Sequence, residues 1–240
     1  DMSRGLGDVY KRQLLSGRSQ GQECFREIRP RLGKMDVLVL NGDTFDFRWA
    51  RRPHSEAIPL ALSWLCELIA DFPDLDIHFI VGNHDCLAKF TNCLREVPGL
   101  SVHSHSLLLG RNLFLHGDAA NYRMDRLGFE KFRRAWEEDS PRGKLALQWY
   151  HWADRTGLSE WTHQLYFAGD SALRRISWHL DRFEPDWRKQ VDDCFFGHTH
   201  LPFQNRERDG VRFHNTGSGI RGMGFAPAEF TFTPLPRPQP

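Results

Sequence analysis

A chain of 240 residues with 40% hydrophobic and 26% charged content can bury the core of one large globular domain, which excludes a largely disordered polymer. A formal net charge of +1 supplies no general attraction to an anionic polymer, so nucleic acid is not expected as a partner. Cys24, Cys66, Cys86, Cys93 and Cys194 are scattered and form no CxxC pair, which argues against a disulfide framework or a thiolate zinc site and for a reducing compartment.

In chain order, residues 1–13 read DMSRGLGDVYKRQ, polar and without strand character. A helix is expected at about 20–32, a buried strand at 36–41 (DVLVLN), and a helix over 56–71, where apolar residues recur at helical spacing. A strand at 77–81 (IHFIV) and a helix at 88–96 follow, then short apolar runs at 113–115 (LFL) and 192–196 (DDCFF). This alternation predicts an α/β layered fold, with one domain over 14–233.

From about 119 to 190 the strand runs stop, and Trp136, Trp149, Trp152, Trp161, Trp178 and Trp187 appear among arginines and glutamates. A helical insert is expected there, either an amphipathic layer on the sheet or a cap over a substrate. The stretch 211–232 has strand composition with glycine turns, and 234–240 (PLPRPQP) reads as a frayed tail. No apolar run reaches the roughly 18 residues of a membrane span and no leader opens the chain, so a cytoplasmic protein is expected.

Each buried run ends in a glycine or a cluster of metal-ligand side chains. Leu38-Val39-Leu40-Asn41 leads into Gly42-Asp43-Thr44-Phe45-Asp46, and Phe79-Ile80-Val81 into Gly82-Asn83-His84-Asp85. Leu113-Phe114-Leu115 leads into His116-Gly117-Asp118, and Cys194-Phe195-Phe196 into Gly197-His198-Thr199-His200. In open α/β sheets ligands bind beyond the carboxyl ends of the strands, so these clusters should converge. Carboxylate, amide oxygen and imidazole without thiolate suit Mn²⁺, Fe or Zn²⁺, Mn²⁺ being the first choice.

The series GDxxD, GNHD, HGD, GHxH resembles the calcineurin-like metallophosphoesterases over residues 14 to about 220, whose fold is a layered β-sandwich flanked by helices. The resemblance implies two divalent cations and a phosphoester or nucleotide-diphosphate substrate. Asp43 would bridge the cations, Asn83, His116 and His198 would complete one site, and His200 would serve the other. His84 would stand outside the metals as a general acid or a positive group on the leaving oxygen. Asp46 would orient it, or would cap a helix.

Families of this kind open with a strand ending in DxH. Setting Leu14-Leu15-Ser16 against the residues that follow DxH puts Lys11 and Gln13 at the two ligand positions. Either one metal site has decayed, or residues 1–13 are foreign; GLGDVYKRQ resembles translated adapter read-through, and the second explanation is preferred. The first would leave only a binding role; the second predicts a gap or a poor substitute in the sheet, a half-empty metal pair and little activity.

Within the family the insert resembles that of the UDP-2,3-diacylglucosamine diphosphatases, which implies Arg123, Arg126, Arg133 and Arg134 as substrate cations and peripheral contact with the inner membrane. The alternative for each arginine is a surface pair with Glu130, Glu137 or Glu138. His84 stands where that lipid enzyme group carries arginine, which favours a general phosphodiesterase or phosphatase. A non-catalytic binding protein would require a broken ligand set. His54, His103, His105 and His214 are expected in packing or surface roles.

Overall fold

The computed structural model describes residues 3–7, 21–138, 143, 166–167, 169–220 and 224–232. The first half runs β1 (Ser3–Gly7), α1 (Gly21–Leu32), β2 (Val37–Asn41), α2 (His54–Asp71), β3 (Asp76–Ile80), α3 (Ala88–Arg95) and β4 (Leu100–His103). The second runs β5 (Ser106–Leu109), β6 (Asn112–Leu115), a 3₁₀ turn (Asp118–Ala120), α4 (Arg126–Glu137), α5 (Ser171–Phe183) and α6 (Trp187–Gln190). Strands β7 (Asp193–Phe196), β8 (Phe203–Arg208), β9 (Val211–Asn215) and β10 (Ala228–Phe232) complete it.

Two five-stranded sheets form, in the orders β10-β1-β2-β3-β4 and β5-β6-β7-β9-β8. Strands β1 to β4 are parallel, as are β6, β7 and β9, and antiparallel β10, β5 and β8 close the edges. Val37, Val39 and Ile80 from one sheet meet Leu107, Phe114 and Phe195 from the other. On the outer faces Leu38, Leu40, Ile77 and Phe79 pack with residues of α1, α2 and α3, while Leu113, Leu115, Cys194 and Phe196 pack with α5 and Trp187. Helices therefore flank a β-sandwich, the fold expected for the metallophosphoesterases. Burial on both faces is why β2, β3, β6 and β7 read as continuous apolar runs rather than as alternation.

The N-terminal segment departs from expectation. Ser3–Gly7 fills the slot between β10 and β2, pairing Ser3 with Phe232 and Gly7 with Ala228 on one side, and Gly5 with Val37 on the other. A ladder is built from backbone N–H and C=O groups, so a slot flanked by two strands accepts a segment that composition does not mark as a strand. Of the two expectations for the sheet, a gap or a poor substitute, the gap is overturned: a five-residue segment occupies the slot. The register changes too: the residues that follow this strand in sequence are Asp8-Val9-Tyr10, not Lys11 to Gln13. Lys11 and Gln13 themselves lie outside the described residues.

Strands β4, β5 and β8 also escaped the sequence reading. Each is short and only partly buried, and β8 (FQNRER) presents mainly polar residues. Between 119 and 190 the described residues are largely helical; Trp149, Trp152 and Trp161 lie outside them, as does the tail. Among the described residues no helix is long and apolar enough to cross a membrane.

Candidate metal centre

Parallel strands deliver their carboxyl ends to one side, and four of them carry the motif loops. Asn41 closes β2 and sends its side-chain amide to Phe195 O, 3.2 Å away across the sheets. Its carbonyl lies 3.2 Å from His116 Nδ1. With the Nδ1 proton donated there, His116 Nε2 presents a lone pair. His198 is held likewise, with Nε2 3.0 Å from Asn121 Oδ1; a neutral ring that donates there presents Nδ1 as its acceptor.

His116 Nε2 and His198 Nδ1 lie 3.2 Å apart. Around His116 Nε2 stand Asn83 Oδ1 at 3.2 Å, Asp43 Oδ2 at 3.3 Å and Asp118 Oδ1 at 3.2 Å. One proton on Nε2 could satisfy one of these acceptors, not all of them. Asp118 Oδ1 is buried and has no hydrogen-bond partner. So many electron-rich atoms in a low-dielectric interior call for a cation, and carboxylate, amide oxygen and imidazole fit a divalent one. One ligand atom each from Asp43, His116 and His198 lies within 4.8 Å of the others.

The backbone is shaped to the same end. Asp43, His198 and His200 have φ of +51°, +65° and +59°, a left-handed conformation that costs a non-glycine residue of order 1 kcal/mol or more. Gly42, at φ +83°, lies so close to His116 that a Cβ would fall on the imidazole ring. His200 is half-buried at the end of the GHTH turn and is not part of the cluster of Asp43, His116 and His198.

His84 Nδ1 lies 2.8 Å from Asp46 Oδ1, and the same oxygen accepts from Trp49 N at 3.1 Å. No helix starts there: α2 begins at His54, with Pro53 at its cap. The N-cap reading of Asp46 is therefore corrected to a turn that also holds His84. The ring of Trp136, from α4, lies 5.2 Å from that of His84, and Arg48 sits 4.1 Å over Trp136.

Asp85, the last residue of GNHD, ties the first two loops together. Its Oδ1 accepts from Gly82 N at 2.6 Å and its Oδ2 from Thr44 N at 2.7 Å. Burial, reinforced by the neighbouring Asp43 carboxylate, raises its carboxyl to about 7. Asn215, at the end of β9, anchors the fourth loop by donating to Gly197 O and Thr199 Oγ1, both at 2.9 Å. Next to Asp85, burial pushes the Cys86 thiol up to about 12, which makes it a packing residue rather than a nucleophile.

The four arginines divide. Arg133 is buried, bonded through Nε to Asp118 and through its two other nitrogens to Val81 O (2.7 Å) and Gly82 O (3.1 Å), so its assignment as a substrate cation is corrected: every guanidinium nitrogen is engaged. Arg126 lies 4.7 Å over the Phe183 ring, and Arg123 lies 5.9 Å from the ring of Trp178. Arg134 is exposed and lines a cavity of about 300 Å³ with Arg95, Glu130 and Glu137. Elsewhere His54 Nε2 lies 3.1 Å from Phe47 O, His103 pairs with His78 at 3.1 Å, and His214 pairs with Asp193 at 2.8 Å.

Asn121 and Asn215 were not anticipated from the sequence. Neither sits in a motif, and only the fold brings them to His198 and the GHTH turn. Asp118 and Asp85 were visible as motif letters but had no assigned role.

The sequence matches the family model for calcineurin-like phosphoesterases over residues 7–202. No curated protein matches it significantly. Among solved structures it is similar to the phosphopantetheinyl hydrolase of Mycobacterium tuberculosis, with 12% identity and a TM-score of 0.44 over 100% of this chain and 98% of that one. A dimetal phosphatase from Danio rerio gives 12% identity and a TM-score of 0.42 over 97% and 99% of the two chains. A conserved uncharacterized protein of Streptococcus pneumoniae, described as a predicted phosphoesterase, gives 14% and 0.32 over 96% and 97%.

Proposed function

The chain belongs to the calcineurin-like phosphoesterase family, and on that premise we propose that it hydrolyses a phosphate ester or a pyrophosphate at the centre formed by Asp43, Asn83, His116 and His198. The observation that carries this reading is the convergence of His116 Nε2, His198 Nδ1 and the side-chain oxygens of Asn83, Asp43 and Asp118 on one volume, with His116 Nδ1 3.2 Å from Asn41 O and His198 Nε2 3.0 Å from Asn121 Oδ1. A divalent cation held there, Mn²⁺ before Fe or Zn²⁺, would supply Lewis acidity toward a phosphoryl oxygen. Asp43 and His200 would hold a second cation. His84 protonates the leaving oxygen, and Asp46 keeps its Nδ1 engaged so that Nε2 is the nitrogen that acts.

The substrate is the finer part of the proposal. UDP-2,3-diacylglucosamine, with the enzyme peripheral to the inner membrane, is supported by the sequence resemblance of the insert. Exposed Arg123 and Arg134 are consistent with it, as is a cavity of about 390 Å³ where Ile58, Leu87 and Ala88 stand beside His54, Lys89, Glu137 and Glu138. A general phosphodiesterase or phosphatase is the second reading, favoured by His84 and its buried carboxylate partner.

Mn²⁺-dependent hydrolysis of an aryl phosphodiester and of UDP-2,3-diacylglucosamine tests both, with Asp43→Ala as the control. It is run on the chain as it stands and on one whose residues 1–13 are replaced by an apolar strand ending in Asp-x-His. Turnover in the repaired chain that is lost in Asp43→Ala is the expected result, and the preferred ester identifies the substrate class. A repaired chain that binds Mn²⁺ and turns over neither ester would shift the assignment to a binding protein.

A further inference from the structure

Helix α4 belongs to the segment between the HGD and GHTH loops, yet it enters the metal centre from behind. Its Arg133 is only 7% exposed. Through Nε it meets Asp118 Oδ2, and through its other nitrogens it binds Val81 O at 2.7 Å and Gly82 O at 3.1 Å, the carbonyls at the end of β3 where GNHD begins. Cys86 Sγ, 3.9 Å from Arg133 O, adds a contact from the same loop. One turn along α4, Trp136 lies against His84. Asp118 in turn faces the metal side: its free Oδ1 is 3.2 Å from His116 Nε2 and 3.6 Å from His198 Nδ1.

A buried carboxylate needs a cationic or hydrogen-bonding partner to offset its desolvation. Arg133 is that partner. It leaves one Asp118 oxygen aimed at both imidazoles, adding negative charge next to the cation position and restricting how His116 and His198 can turn. We propose that Arg133 is a positioning residue of the metal centre: by fixing Asp118 against His116 and His198 it couples the docking of α4 to cation binding, so that each strengthens the other. Such coupling is reciprocal by thermodynamic necessity. The inference rests on the metal reading given above.

The test measures Mn²⁺ affinity by calorimetry and α4 amide exchange with and without Mn²⁺. The unaltered chain is compared with Asp118→Asn and with the double variant Arg133→Met/Asp118→Asn, in which no buried charge is left alone. The expected result is Mn²⁺ binding weakened about 10- to 100-fold in both variants, the range for partners behind metal ligands. Mn²⁺ should slow exchange in α4 of the unaltered chain and have no such effect in the double variant. A double variant that binds Mn²⁺ as tightly as the unaltered chain overturns the proposal while leaving the metal site standing. Exchange in α4 that ignores Mn²⁺ in the unaltered chain also overturns it, and this arm decides even where a variant does not fold. An unaltered chain that takes up no Mn²⁺ overturns the metal reading and this inference together.

Discussion

His84 Nδ1 and Asp46 Oδ1 are 2.8 Å apart, and the carboxylate is wholly excluded from solvent. If His84 protonates the leaving oxygen, His84→Ala lowers kcat by about 10²- to 10⁴-fold on an alkyl phosphoester. The loss should be far smaller with p-nitrophenolate, which departs without a proton. Asp46→Asn is expected to follow the same pattern at lower amplitude, with Mn²⁺ affinity unchanged. Equal losses on both leaving groups would remove His84 from the acid role.

Gly42→Ala is expected to cost roughly 2 kcal/mol of stability, since it combines a left-handed backbone with a Cβ placed on a buried ring. The His116 ring must move to admit the methyl, so Mn²⁺ affinity should fall as well. Urea denaturation with and without Mn²⁺ separates the two effects. A variant with unaltered midpoints would show that the loop has more room than the structure gives it.

Part of the acid sensitivity should originate at His105 and His179, whose Nε2 atoms lie 2.8 Å apart. Burial, then the nearby His179, Arg133 and Arg126, lowers His105 from 6.5 to about 3. Burial lowers His179 as well. The folded protein withholds a proton that the unfolded chain accepts below about 6.5, so this stability is complete above that pH and is lost as pH falls from 6.5 toward 3. The slope is about 1.4 kcal/mol per pH unit for one such group. His105→Gln, which keeps a hydrogen-bonding group for His179, should flatten the pH dependence of the denaturation midpoint in that window. An unchanged slope would place the sensitivity elsewhere.

The register of β1 makes a further variant informative. Because the strand ends at Gly7, Asp8-Val9-Tyr10 follows it in sequence. Tyr10→His creates Asp-x-His at that place and is expected to raise bound Mn²⁺ toward two per chain, with a gain in hydrolysis. Metal analysis after dialysis measures it. No gain from Tyr10→His, alongside restored activity in the chain with residues 1–13 replaced, would mean that β1 does not set the geometry of the missing motif.

Much of the centre was legible because strand burial and ligand chemistry both leave local marks. Asp43, Asn83, His116 and His198 each follow an apolar run whose two faces are covered, and parallel strands bring such ends together whatever the connecting segments do. The sequence by itself therefore determined the layered fold and the residue types that gather at the strand ends. Backbone pairing leaves no comparable mark. Residues 3–7 form a strand because β10 and β2 flank an open ladder, and β8 is held at an edge in spite of its polar composition. Only the tertiary structure decided that Arg133 is a buried tether and not a substrate cation, that Asn121 sets the tautomer of His198, and that Asp46 holds a histidine in place of capping a helix. Each of those roles is a contact between side chains or loops that are remote in sequence or that depend on which helix is present, and a distance of three ångströms between them has no signature in composition or periodicity.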